Sequence, residues 1–145
     1  MSFWEKGYLT SAAIIVLVGI GYAATIWQAS SAAGELVAPQ LGLFLLAMVI
    51  FVVIAAASFS VIAALEARRT GAPEDVGEYD ERDRLVGLHA QAQASHVMSF
   101  GIYMSLVAFF VHRDANVLFY SAFAAAALGD LSRCLLQVYH YNRAI

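Results

Sequence analysis

Three long stretches of the chain lack any charged side chain, at 7–34, 36–65 and 85–112, taking the histidines in the third as neutral. They run for 28, 30 and 28 residues, and each exceeds the roughly 20 that cross about 30 Å of hydrocarbon as an α-helix. A fourth stretch, 115–129, is apolar until Asp130 and Arg133 interrupt it, after which Leu131, Leu135, Leu136 and Val138 carry it on. The runs are too long and too weakly alternating for barrel strands, and lipid leaves backbone groups no partner outside a helix or a closed barrel. The pattern therefore predicts an all-α, polytopic membrane protein. Four transmembrane helices are expected at about 8–29, 40–65, 85–111 and 116–141, forming a single four-helix membrane domain over 1–145 with a loop at 66–84.

Punctuation agrees with these limits. Pro39 falls at the start of the second helix, where its missing N–H costs little, and Pro73 falls in the loop with Gly71 and Gly77. The first span follows Lys6 and precedes small residues, as a signal peptide would. Its apolar stretch is longer than a signal h-region, however, and Trp27 suits an interfacial anchor, so a retained span is expected.

Composition strengthens the membrane reading. Of 145 residues, 61% are hydrophobic and 13% charged, against about a quarter charged in soluble domains. Mean hydropathy is +0.72. Seven carboxylates and four arginines fall within 66–84, so the formal net charge of −3 resides in that loop and the rest of the chain is balanced. A basic surface for direct nucleic-acid binding is excluded. The one cysteine, Cys134, excludes an intramolecular disulfide framework and a Cys-x-x-Cys metal site.

Lys and Arg positions set the expected orientation. Lys6, Arg68, Arg69, Arg82, Arg84 and Arg143 share one side, and Arg113 stands alone on the other. Both termini and the charged loop are thus expected in the cytoplasm, and the protein in the inner (cytoplasmic) membrane as a multi-pass chain. Each half contributes two spans, so the halves point the same way and an inverted repeat within the chain is excluded. Alanines at 55–57 and 124–127 permit close helix approach.

Intramembrane polarity is concentrated in the second half. On the third helix, His89, Gln93, His96, Phe100 and Tyr103 follow at intervals of 4, 3, 4 and 3, which is one face. On the fourth, Asp130, Arg133, Cys134, Gln137 and His140 or Tyr141 share a face. The two helices are antiparallel about a turn near 112–115, so residues at equal depth have numbers that sum to about 227. That places His96 between Asp130 and Arg133, and His89 near Gln137 and His140. If the faces meet, a polar cluster lies in the cytoplasmic half, closed externally by Val107, Phe109, Phe110 and Phe119.

Ionisable side chains within a span cost about 2.5 to 3.5 kcal/mol at a helix centre and usually mark function. Against that general rule, Asp130 and Arg133 stand at i, i+3 and can neutralise each other, which makes a structural lock between helices the leading alternative to a ligand, proton or ion site. His89 and His140, at one depth on neighbouring helices, also fit the two axial ligands of a haem b, and His96 lies one heptad away for a second or metal site. No glycine-rich phosphate loop, Walker sequence or His-Glu-x-x-His occurs. Ser95 beside His96, and Cys134 near it, make weak nucleophile and base pairs, so an enzyme is not expected.

In the loop, Asp80, Glu81, Arg82, Asp83 and Arg84 run directly into the third span, and Asp80 or Asp83 suits a helix cap. These residues are the candidate docking surface for a cytoplasmic protein. The run Asp80-Glu81-Arg82-Asp83-Arg84-Leu85 resembles an uncharacterised prokaryotic family of small four-span membrane proteins with an Asp-Glu-Arg-Asp signature at that place. Members are often encoded beside a small helix-turn-helix regulator, so the resemblance implies a regulatory partner. It assigns no activity, and it does not cover His89, Gln93 and His96.

Three functions follow as expectations. The first is a sensory, regulatory or accessory subunit that presents the loop to a partner. The second is a bis-histidine haem electron carrier. The third is a dimeric small transporter that uses Asp130, although the first helix lacks the carboxylate that small four-span drug exporters carry.

Overall fold

The computed structural model describes residues 3–71 and 80–143. The middle of the charged loop, 72–79, lies outside them, and with it Glu74, Asp75, Glu78 and Pro73. The described residues form four helices: α1 (Phe3–Ala33), α2 (Leu41–Thr70), α3 (Glu81–His112) and α4 (Ala115–Asn142). Their most apolar 18-residue windows have mean hydropathies of 2.0, 2.8, 1.6 and 1.2. All four are long and apolar enough to cross a bilayer.

Local chemistry sets the ends. Asp80 caps α3 in a reciprocal box: its Oδ1 accepts from the Asp83 N–H at 2.8 Å, and Asp83 Oδ2 accepts from the Asp80 N–H at 3.3 Å. Asp114 Oδ1 caps α4 by accepting from the Asn116 N–H at 2.8 Å. α2 begins after Gln40, which places Pro39 just ahead of its N-cap rather than inside its first turn. It ends at Gly71, whose φ of 70° satisfies the left-handed cap, with Arg68 and Arg69 in the last turn facing the negative helix end. Arg113 closes α3 at φ 54° with its guanidinium 5.7 Å from the Phe110 ring centre.

Helix neighbours run in the order α2, α1, α4, α3. Among the described residues, close backbone approach joins α1 to α2, α1 to α4 and α3 to α4, and none joins α2 to α3. The bundle is therefore open along that side. α4 is central, with α3 and α1 packed on it.

The α3–α4 seam is built from small residues. Ala90, Ala94 and Ser105 on α3 and Ala125 and Gly129 on α4 are buried. A Cβ at Gly101 would stand 2.6 Å from Ala125 Cβ, and one at Gly129 would stand 2.8 Å from Met98 Cβ, so both glycines mark places where only hydrogen fits. Gly101 with Ala125, and Met98 with Gly129, keep the register expected from the turn to within a residue.

In the half of the bundle that carries the two helix hairpins, rings fill the α1, α2 and α4 junction. Tyr22 meets Phe123 edge-on at 5.4 Å between centres, Phe44 meets Phe123 at 5.5 Å, and Phe119 meets Phe44 at 5.8 Å. The linker between α1 and α2 is pinned to α4 by the Asn116 amide, which donates to Leu36 O at 3.2 Å, and the Tyr120 hydroxyl, which donates to Val37 O at 3.1 Å. Large apolar side chains such as Leu17, Val52 and Val111 cover the outside of the bundle and are exposed. Burial for them comes from lipid. The protein is a multi-pass, all-helical membrane protein.

Candidate functional site

Polar side chains gather at the opposite end, where α1 and α3 begin and α2 and α4 finish. The antiparallel order brings Lys6 of α1 to Glu66 of α2, with Nζ 2.7 Å from Oε2. Arg69 approaches the other oxygen of that carboxylate at 3.8 Å. Tyr141, in the last turn of α4, joins three helices. Its ring stacks on Tyr8 of α1 at 6.2 Å between centres, its hydroxyl donates to Asp83 of α3 in a short hydrogen bond, and its carbonyl accepts from Arg82 Nη2 at 3.5 Å. Asp83 thus serves both the cap of α3 and the tie to α4. The flanks of the charged loop are both anchored, one through Glu66 and the other through Asp83.

One turn deeper, the rings of His89 and His140 stand 6.3 Å apart between centres, inclined at 51°. His89 Nδ1 lies 2.9 Å from Leu85 O, an arrangement in which Nδ1–H donates to the carbonyl and Nε2 points away from it. His140 Nε2 lies 3.4 Å from Gln93 Oε1. A cavity of about 240 Å³ is lined by Arg82, Leu85, Val86 and both histidines. Polar side chains of α3 and α4 therefore meet in two layers: Arg82 and Asp83 with Tyr141, and His89 and Gln93 with His140.

The structure separates the remaining candidates from that cluster. His96 is exposed, and among the described residues no hydrogen bond or ion pair joins it to Asp130 or Arg133. The seam residues Ala90, Ala94, Gly101 and Ser105 define the side of α3 that meets α4, and the stripe of His96, Phe100 and Tyr103 lies roughly 140° around the helix at 100° per residue. Depth is matched and direction is not. Asp130 and Arg133 pair with each other at 3.5 Å, with side chains 63% and 45% exposed. Asp130 borders a groove of about 260 Å³ between α1, α2 and α4, on a different side of α4 from His96. Cys134 and Gln137 are buried, and Gln137 Oε1 has no hydrogen-bond partner. The expected external closure does not form as a unit: Val107 and Phe110 are exposed, whereas Phe119 packs against Phe44 and Tyr120.

Sequence reasoning missed the tie between Asp83 and Tyr141 and the pair of Lys6 with Glu66. Both were within reach of the depth rule, had it been carried beyond the apolar spans to the helix ends. Among the described residues, no three His, Cys, Asp or Glu side chains come together in a metal-binding arrangement. No family model, curated protein or solved structure matches the chain.

Proposed function

We propose that the protein is a non-enzymatic regulatory or accessory membrane subunit that presents its charged loop to a cytoplasmic protein. The observation that carries this reading is the anchoring of both loop flanks, with Glu66 held by Lys6 and Asp83 held by Tyr141. A movement of α1 or α4 would displace the loop through these contacts. The excess of Lys and Arg on the side of the loop orients it, with both termini, to the cytoplasm of an inner membrane. The Asp-Glu-Arg-Asp run at 80–83, through its resemblance to the uncharacterised four-span family, favours a regulator as the partner. The test is a pull-down from detergent extract with Glu81 and Arg84 changed to Ala, which leaves the Asp80–Asp83 cap and the Tyr141 tie in place. Loss of a wild-type partner with an unchanged helical circular dichroism spectrum is expected; unchanged recovery of that partner would sink the reading.

The same subunit works as a homodimer. Gln93 and His96 on α3 and Asp130 and Arg133 on α4 are exposed at membrane depth, where uncovered polar groups are costly. A second copy related by an axis along the membrane normal keeps each residue at its own depth. Since His96 is level with Asp130 and Arg133, the α3 stripe of one copy fits the open α2–α3 side of the other. In a Cys134→Ala background, mixed His96→Cys and Asp130→Cys proteins should cross-link under oxidation. A monomer at all protein-to-detergent ratios is the contrary result.

A second reading, haem ligation by His89 and His140, is favoured by their 6.3 Å separation and by the fixed Nδ1 of His89, the usual second contact of a metal-binding imidazole. Protein expressed with haem supplied and purified without a Soret band eliminates it.

A further inference from the structure

A cavity wider than those bordered by the histidine pair and by Asp130 lies away from the polar cluster. It is a groove of about 610 Å³ between α1 and α4, within the range of small-molecule sites. Its wall is apolar along Ile15, Gly19, Ile26 and Leu128 and becomes polar at the hairpin end, at Ser30 and Tyr120. Those two are already engaged: Ser30 Oγ accepts from the Val37 N–H at 3.2 Å, and the Tyr120 hydroxyl donates to Val37 O. Tyr22 is different. It is 6% exposed, its hydroxyl is buried without a hydrogen-bond partner, and it borders both this groove and the 260 Å³ groove that reaches Asp130.

An unpaired buried hydroxyl costs about 1 to 3 kcal/mol, and Tyr22 sits about 16 Å along α1 from its hairpin end, at a depth where no bulk water can pair it. Phenylalanine at that position would fill the same ring cluster without the penalty. The Tyr22 hydroxyl is thus a donor without an acceptor at the wall of the groove, and within the bilayer an acceptor reaches it through the lipid phase. A Cβ at Gly19 would meet nothing within 4 Å, so the groove is open to an apolar chain at that point.

We infer that the α1–α4 groove binds a lipid-phase molecule with a long apolar chain and a carbonyl oxygen, the chain lying along Gly19 and the carbonyl accepting from Tyr22. A membrane quinone and the acyl ester of a glycerolipid both present that chemistry. The site is independent of the loop reading, since nothing in it requires a cytoplasmic partner.

Trp27 lines the groove and Trp4 lies at the other end of α1, so Trp4→Phe leaves one reporter among the two tryptophans. Quenching of Trp27 is titrated in detergent with a decyl-substituted benzoquinone and, separately, with a phosphatidylcholine brominated in its acyl chains. Saturable quenching by at least one probe is expected. Tyr22→Phe should raise the half-saturating concentration about fivefold, the equivalent of one neutral hydrogen bond, and Gly19→Leu should abolish the saturable component. Saturation by the quinone alone assigns a quinone, by the brominated lipid alone a glycerolipid, and by both the shared carbonyl. Quenching that never saturates, or half-saturation unchanged in Tyr22→Phe, overturns the site. Tyr22→Phe keeps the ring against Phe44 and Phe123, so it decides the matter even if Gly19→Leu fails to fold.

Discussion

Against α3, helix α4 closes until Gly101 and Gly129 have no room for a Cβ, whereas against α1 it leaves grooves of about 610 and 260 Å³ that both touch Gly19. The contrast arises within one helix and one solvent. Lipid tails are as apolar as leucine, so transmembrane helices are held by close packing and hydrogen bonds rather than by removal of apolar surface from water. The α3 side uses the first of these along Ala94, Gly101, Ala125 and Gly129. The α1 side uses ring contacts, Tyr8 with Tyr141 at its start and Tyr22 with Phe123 nearer its middle, and is open from Ile15 to Ser30, where the larger groove lies. A small residue is thus a packing device where a neighbour fills the space and a vacancy where none does. The tight face suits a fixed scaffold, and the loose face suits a ligand.

Breaking the tight face has the largest expected effect. Gly101→Leu forces a side chain into Ala125, whose Cα is 3.2 Å from the new Cβ, and α4 has little freedom to withdraw while its N-terminal part is pinned by Asn116 and Tyr120. A loss of about 3 kcal/mol is expected from overpacking of this kind. Unfolding in mixed micelles by increasing sodium dodecyl sulfate measures it, and a midpoint equal to wild type would mean that the seam is not close-packed.

Tyr141→Phe tests a residue that serves both faces. The substitution retains the ring against Tyr8 on the α1 side and removes only the hydroxyl bonded to Asp83 on the α3 side. Hydrogen bonds to charged groups contribute about 1.5 to 3 kcal/mol, and the half-buried setting of this pair places the expected loss near the lower figure. The same micelle unfolding reads it. Backbone amides near Asp83 should exchange faster with deuterium while those near Tyr8 stay unchanged; equal acceleration at both would show that the ring, not the hydroxyl, makes the connection.

The difference between the faces was only partly legible in the sequence. Apolar run lengths identify all four helices, because the membrane demands about 20 residues per crossing whatever the neighbours are. The turn at 112–115 sets the α3–α4 register, which is why His89 and His140 are found together. Helix rotation is another matter. Stripe spacing shows that His96, Phe100 and Tyr103 share a side with His89, but in lipid both polar and small stripes compete for the contact. Here Ala90, Ala94, Gly101 and Ser105 take it; His89 and Gln93 still reach His140 near the helix ends, and from His96 onward the stripe turns outward. The alanines at 124–127 invite a similar misreading: Ala125 lies in the seam, while Ala124 and Ala127 border the larger groove. Gly19 and Gly21 with Tyr22 read in the sequence as a packing notch, whereas the distinction of Tyr22 is a missing hydrogen-bond partner, which no sequence pattern encodes.

The smallest expected effect has the opposite sign. Gly19→Ala adds a methyl where nothing lies within 4 Å, so the steric cost that dominates at Gly101 is absent. What remains is the backbone term, in which alanine in a helix interior is favoured over glycine by roughly 0.5 to 1 kcal/mol. The variant should therefore unfold at a slightly higher dodecyl sulfate fraction than wild type. A methyl fills little of a groove of about 610 Å³, so ligand quenching of Trp27 should persist in it and be lost in Gly19→Leu. Destabilisation by the methyl alone would show that α1 and α4 close over Gly19 in the membrane, and the two faces of α4 would then be packed alike.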